Sequence, residues 1–121
     1  MKYKISLSED GSYVHVRIFQ PITAELERIF TEEAIKIARE NSVLRYLGDV
    51  RGVSNVASPS DKYMLANKEI KQFGLDPASR VAVLVSPGDH THDFIETVFR
   101  NTGVDFSLFE NEGEALDWLK K

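Results

Sequence analysis

From Arg80 to Leu119 the chain alternates strand and helix signals with little between them. RVAVLV (80–85) is a nearly unbroken apolar run of strand length, and SPGDHTHD (86–93) after it is a polar loop. A helix carrying Phe94, Ile95, Val98 and Phe99 comes next and stops at Thr102-Gly103. VDFSLF (104–109) makes another strand, and a short helix ends in Trp118-Leu119. Strand–helix–strand–helix at this density restricts the fold to βα units around a parallel sheet. Such sheets gather their working loops along one edge. The apolar run 81–85 implies a strand buried on both faces, running parallel to strands near 44–50 and 104–109.

The N-terminal part differs. Tyr3, Ile5 and Leu7 alternate with polar residues, and Val14, Val16 and Ile18 alternate with Tyr13, His15, Arg17 and Phe19. Asp10-Gly11 between them is a hairpin signal, because glycine reaches positive φ at little cost. Thr23 is placed to cap a helix running to about Asn41, with Leu26, Phe30, Ala34, Ile37 and Ala38 as its buried stripe. Thr31 offers an alternative restart after a kink. LRYLGDVRGV (44–53) reads as the third strand, and SNVASPSD (54–61) as loop. Ser60 suits an N-cap for a second helix ending near Phe73, with Tyr63, Ala66, Ile70 and Phe73 inward and Gly74 just beyond its end. The third helix is expected to begin between Asp89 and Thr91. Asn111 and Glu114 have capping-box spacing for the last helix. Ala115, Leu116, Trp118 and Leu119 form its apolar side, which implies a largely buried Trp118. The order is ββαβαβαβα: α/β, a mixed sheet opening with an antiparallel hairpin and continuing as βα units with a parallel core.

The 121 residues suit one domain, 1–121, with room for one sizeable core. A net charge of −4, with no basic cluster, argues against a broad nucleic-acid footprint. The absence of cysteine excludes disulfides, thiol catalysis and thiolate metal sites. No apolar run approaches the ~20 residues of a membrane-spanning helix. MKYKISLSED lacks the apolar core of a signal peptide. The expectation is a soluble cytoplasmic protein.

GDVRGV (48–53), RVAVLV (80–85) and VDFSLFENEGEALDWL (104–119), taken with the element order, resemble the SpoIIAA-like proteins. These are relatives of the STAS domain, the sulfate-transporter and anti-sigma-factor-antagonist module. The resemblance covers nearly the whole chain and implies a mixed sheet with helices wound as a βα superhelix. In anti-sigma-factor antagonists a serine at a helix N-terminus, shortly after the GDVRGV-like strand end, is phosphorylated by a partner kinase. Counting forward from Asp49 places Ser58 there. Ala57 stands where that pattern has Asp, and Pro59-Ser60 follow where a small residue and Gly are usual. The expectation is therefore that Ser58 is not a regulated phosphosite.

Each candidate residue has a plain structural explanation beside its functional one. Ser58 and Ser60 flank a proline before a helix, and capping explains them better than a bound or attached phosphate. Arg51, beyond strand 3, suits an anion or a partner carboxylate, but a local salt bridge to Asp49 or Asp61 is preferred. His90, His92 and Asp93 carry metal-binding groups, yet a spacing of two does not align the imidazoles on a helix face. Capping by Asp89 is preferred there, and no metal or cofactor is expected. GxSxG, GxGxxG and P-loop patterns are all absent. The second face of strand 2 (Tyr13, His15, Arg17, Phe19) is expected to lie under a helix. If exposed, it would suit a dimer contact.

Three functions follow in order of preference. The first is a non-enzymatic STAS-like module that binds a protein partner or itself. The second is a small-ligand or lipid-binding module at the edge where Arg51, Ser54, Ser58, Ser86 and Thr91 converge. Here the SpoIIAA-like arrangement also resembles the lipid-binding CRAL-TRIO fold. The third is an enzyme using the His90/His92 loop. A deep apolar cavity favours the second; a filled core with a flat apolar surface favours the first.

Overall fold

A computed structural model describes all 121 residues. Five strands form one sheet in the order β1-β2-β3-β4-β5. β1 (Tyr3–Leu7) pairs antiparallel with β2 (Val14–Ile18), Tyr3 opposite Ile18 and Leu7 opposite Val14. β2, β3 (Arg45–Asp49), β4 (Arg80–Leu84) and β5 (Asp105–Phe109) then pair in parallel. β4 lies between β3 and β5, as its unbroken apolar run predicts. Ala82 and Leu84 face one side of the sheet and Val83 and Val85 the other, and all four are buried.

One face carries the larger core. It is covered by α1 (Ala24–Glu40), by a continuous helical stretch from Pro59 to Phe73, and by α4 (Asp93–Asn101). The middle helical stretch consists of α2 (Pro59–Met64), a π-helical turn (Leu65–Glu69) and α3 (Ile70–Phe73). The other face carries α5 (Glu112–Leu119), whose Ala115 and Leu119 close on Leu47, Ala82 and Leu84.

Local chemistry explains the boundaries. The Thr23 hydroxyl accepts from the Leu26 amide and starts α1, which runs unbroken past Thr31. Asn111 caps α5 by accepting from the Glu114 amide at 3.0 Å. Gly74 ends α3 at φ 82°, a left-handed conformation that glycine adopts without a Cβ clash. The β1–β2 connection is wider than a two-residue turn. Asp10 accepts from the Ser12 amide and from the Ser8 and Ser12 hydroxyls, making a polar knot.

Five local expectations are corrected. The cap of α2 is Ser58, whose hydroxyl accepts from the Asp61 amide at 3.1 Å, because Pro59 takes the first helical position, where its missing N–H costs nothing. Tyr63 points to solvent, and Lys62 and Leu65 are buried beside the expected Ala66 and Ile70. α4 begins at Asp93, because the Asp89 carboxylate binds the Thr91 amide and hydroxyl and holds a turn there. Trp118 is half-buried: it lies against Phe109, with the Arg80 guanidinium over its outer side. The second face of β2 lies beyond α5, which packs on β3, β4 and β5. His15 and Arg17 are therefore only half-buried and Phe19 is exposed.

Candidate functional site

Beneath the helices of the larger core lies a cavity of about 120 Å³. Its walls come from β2, β3 and β4 (Val16, Ile18, Gly48, Val83), from α1 (Phe30, Ala34, Ile35), and from the helices beyond (Leu65, Ile70, Ile95, Phe99). The space has a local cause. Gly48 in β3 has no side chain and Ala34 in α1 has only a methyl group, so neither side of this cavity is filled. The π-helical turn carries Leu65 at the cavity wall. Such turns are uncommon and recur at functional sites.

The polar lining gathers at the C-terminal edge of the parallel strands. Glu27, Asn55 and His92 reach the cavity from α1, the β3–α2 loop and the β4–α4 loop, and all three are buried. Asn55 Nδ2 donates to Glu27 Oε2 at 2.9 Å, while Asn55 Oδ1 accepts from the Ala57 amide at 3.0 Å. No hydrogen bond from the chain reaches Glu27 Oε1. Burial pushes the Glu27 carboxyl up to about 7; Asn55 and the Lys62 ammonium oppose this without cancelling it. His92 Nε2 lies 3.0 Å from the Val53 carbonyl, which fixes the proton on that nitrogen, and 3.4 Å from the Asp89 carboxylate. Lys62, also buried, donates to the Thr91 carbonyl at 3.3 Å.

The residues singled out from sequence lie along this same edge, and of them only His92 lines the cavity. Arg51 grips Asp49 with two side-chain bonds, at 3.0 and 2.7 Å, and reaches Glu112 at 3.3 Å. This is the local salt bridge that the sequence favours. Burial alone would raise the Asp49 carboxyl, but Arg51 and Arg17 hold it below the ordinary carboxylate range. Ser86 accepts from the Gly52 amide at 2.8 Å, and Thr91 accepts from the Asn55 amide at 3.0 Å. Both tie loops together. Ser54 uses its carbonyl to hold Ile22, and Ser58 caps α2. His90 is exposed and bonds Asp93, pointing away from His92. No group of three His, Cys, Asp or Glu side chains is arranged to hold a metal.

Sequence reasoning missed Glu27, Asn55 and Lys62. Glu27 did leave a signal. It stands three, four and seven residues before Phe30, Thr31 and Ala34, on the face that packs inward. A carboxylate inside an apolar stripe marks a site that is worth inspecting. Asn55 and Lys62 left none, because a loop amide and a helix lysine usually face water.

A solved structure shares this architecture: an uncharacterised protein of the DUF3478 family with a SpoIIAA-like fold, from Shewanella loihica PV-4. It superposes with a TM-score of 0.54 at 22% identity, over 97% of this chain and 91% of that one. The chain has the SpoIIAA-like fold. No protein-family model and no curated protein matches the sequence. No helix is long and apolar enough to cross a membrane.

Proposed function

We propose that this SpoIIAA-like domain is a non-enzymatic binding module whose ligand is a small apolar molecule carrying one hydrogen-bond donor. The cavity carries this reading: apolar walls around about 120 Å³, with a buried carboxylate at its polar end. An apolar cavity of about 150 Å³ admits benzene, so about 120 Å³ sets a ligand size of no more than about one ring. Apolar walls supply affinity, and one or two placed polar groups set orientation. Glu27 is that polar group. Ionised, its free oxygen accepts from a hydroxyl or an amine; protonated, it can also donate. A ligand carboxylate meets like charge once Glu27 ionises, so anionic ligands are disfavoured above about pH 7.

The test uses phenol and benzoate as probes at pH 8, followed by amide NMR. Phenol is expected to give saturable shifts at Ala34, Gly48 and Asn55, and benzoate none. Ala34→Leu fills the cavity and should abolish the phenol response while the protein stays folded. If phenol shifts nothing, or shifts the same residues in Ala34→Leu, the proposal fails.

A second reading, a protein-interaction or regulatory module, is favoured by the exposed apolar side chains of Tyr63 and Met64 on α2 and Phe94 on α4, two helices packed together. Sedimentation of the wild type against a Tyr63→Ser, Phe94→Ser double variant tests self-association. A monomer at all concentrations in both would remove the homodimer form of this reading.

A further inference from the structure

The face of the sheet opposite the cavity holds an arginine without a counter-charge. Arg45 opens β3 and lies directly across from Arg80, which opens β4. Both side chains lie on the α5 side. Arg80 is fully engaged: it bonds Asp105 at 3.0 Å and the Trp118 carbonyl at 2.8 Å, and it stacks on the Trp118 ring. Arg45 has no such partner. Its Nε is buried and makes no hydrogen bond, and no carboxylate lies within ion-pair distance. Arg17, Arg28, Arg51, Arg80 and Arg100 are all in ion pairs.

Arg45 opens into a cleft of about 220 Å³ lined also by Ser12, Tyr13, Leu116, Leu119 and Lys120. Lys120 brings a second unpaired cation. Asp10 is the acidic group near Lys120, but Ser8 and Ser12 already bind its carboxylate and hold it down to about 2. A buried donor left unpaired is destabilising, and Lys120 adds a second positive charge to the same cleft. A ligand that relieves both must be an anion with several acceptor oxygens, matched to the guanidinium fork.

We propose that this cleft binds a tetrahedral oxyanion, either inorganic phosphate or the phosphate of a small monoester. Arg45 provides the fork and Lys120 a second positive charge, while Leu116 and Leu119 form an apolar wall. The site lies across the sheet from the cavity and does not depend on the function proposed above.

The experiment is an NMR titration of the whole chain with sodium phosphate, against sodium chloride at equal ionic strength. The reporters are the Arg45 side-chain Nε–H and the amides of Ser12 and Lys120. A saturable shift in phosphate and none in chloride is expected. Arg45→Gln should weaken binding at least about tenfold, and Arg45→Lys, which keeps the charge but loses the fork, should also weaken it. Lys120→Ser, an exposed change, should weaken binding severalfold and serves if Arg45→Gln does not fold. Glycerol phosphate separates the two sources: tighter binding than phosphate identifies a monoester, and equal or weaker binding identifies the free ion. A non-saturating response, an equal response in chloride, or unchanged binding in the folded variants would overturn the proposal.

Discussion

The two faces of the sheet leave open space of different kinds: a cationic cleft of about 220 Å³ beside α5, and an apolar cavity of about 120 Å³ beneath the helices of the other face. On the α5 face one short helix brings Ala115 and Leu119 onto Leu47, Ala82 and Leu84, and these apolar side chains close on one another. On the other face longer helices bury many more side chains, yet a cavity remains where Gly48 and Ala34 line it together. More buried area therefore does not mean a fuller core; matched side-chain volumes decide that.

The carboxylates at the C-terminal edge repeat the contrast. Asp49 meets Arg51 and Arg17, and its pKa is lowered despite burial. Glu27 meets a neutral amide, with Lys62 beyond ion-pair distance, and burial wins. Two acidic groups at one edge are driven in opposite directions by what stands next to them.

The contrast can be broken most directly at Leu119. If the α5 face is tightly filled, Leu119→Ala should cost about 2–5 kcal/mol in a urea titration. A cost under about 1 kcal/mol would mean that the face collapses to fill the gap.

Glu27→Gln sharpens the carboxylate comparison. The folded pKa of about 7 stands above the ordinary 4.5, so folding favours the protonated form. Stability from this group is fully present below pH 4.5 and is lost as pH rises through about 7. Glu27→Gln should therefore gain up to about 3 kcal/mol over wild type at pH 8 and little at pH 4. A pH-independent difference would place Glu27 in water.

Trp118→Ala should cost less than Leu119→Ala, about 1–3 kcal/mol, because the half-buried ring loses chiefly its contacts with Phe109 and Arg80. Equal costs would show that Trp118 is an anchor rather than a cover.

The smallest effect is expected at Gly48. An added Cβ there meets Val83 Cγ2 at 3.7 Å and the Ala82 carbonyl at 4.0 Å, ordinary contacts. Gly48→Ala should stabilise by about 0.5–1 kcal/mol and weaken phenol binding by narrowing the cavity. A destabilised variant would mean that the space is needed by the protein itself.

Much of the architecture was legible because it depends on local pattern. Alternation in 3–7 and 14–18, the apolar run at 81–85 and the caps at Thr23 and Asn111 each carry their element's signal within a few residues. Misplaced boundaries have equally local causes. Pro59 moved a cap from Ser60 to Ser58, and Asp89 folded a turn that delayed α4 to Asp93. The candidate edge was legible as an edge, but of its inward-facing residues only His92 was singled out. Ser86 and Thr91 hold neighbouring loops, while Glu27, Asn55 and His92 face inward beside them.

By itself, then, the sequence determined the element order, the sheet's parallel core and the doubly buried β4, because hydrophobic period and capping act over a few bonds. Only the tertiary structure decided that Gly48 and Ala34 line one space, that Glu27 borders it and that Arg45 lacks a partner. Those outcomes depend on side chains brought together from distant segments, and volume and charge balance exist only once the segments meet.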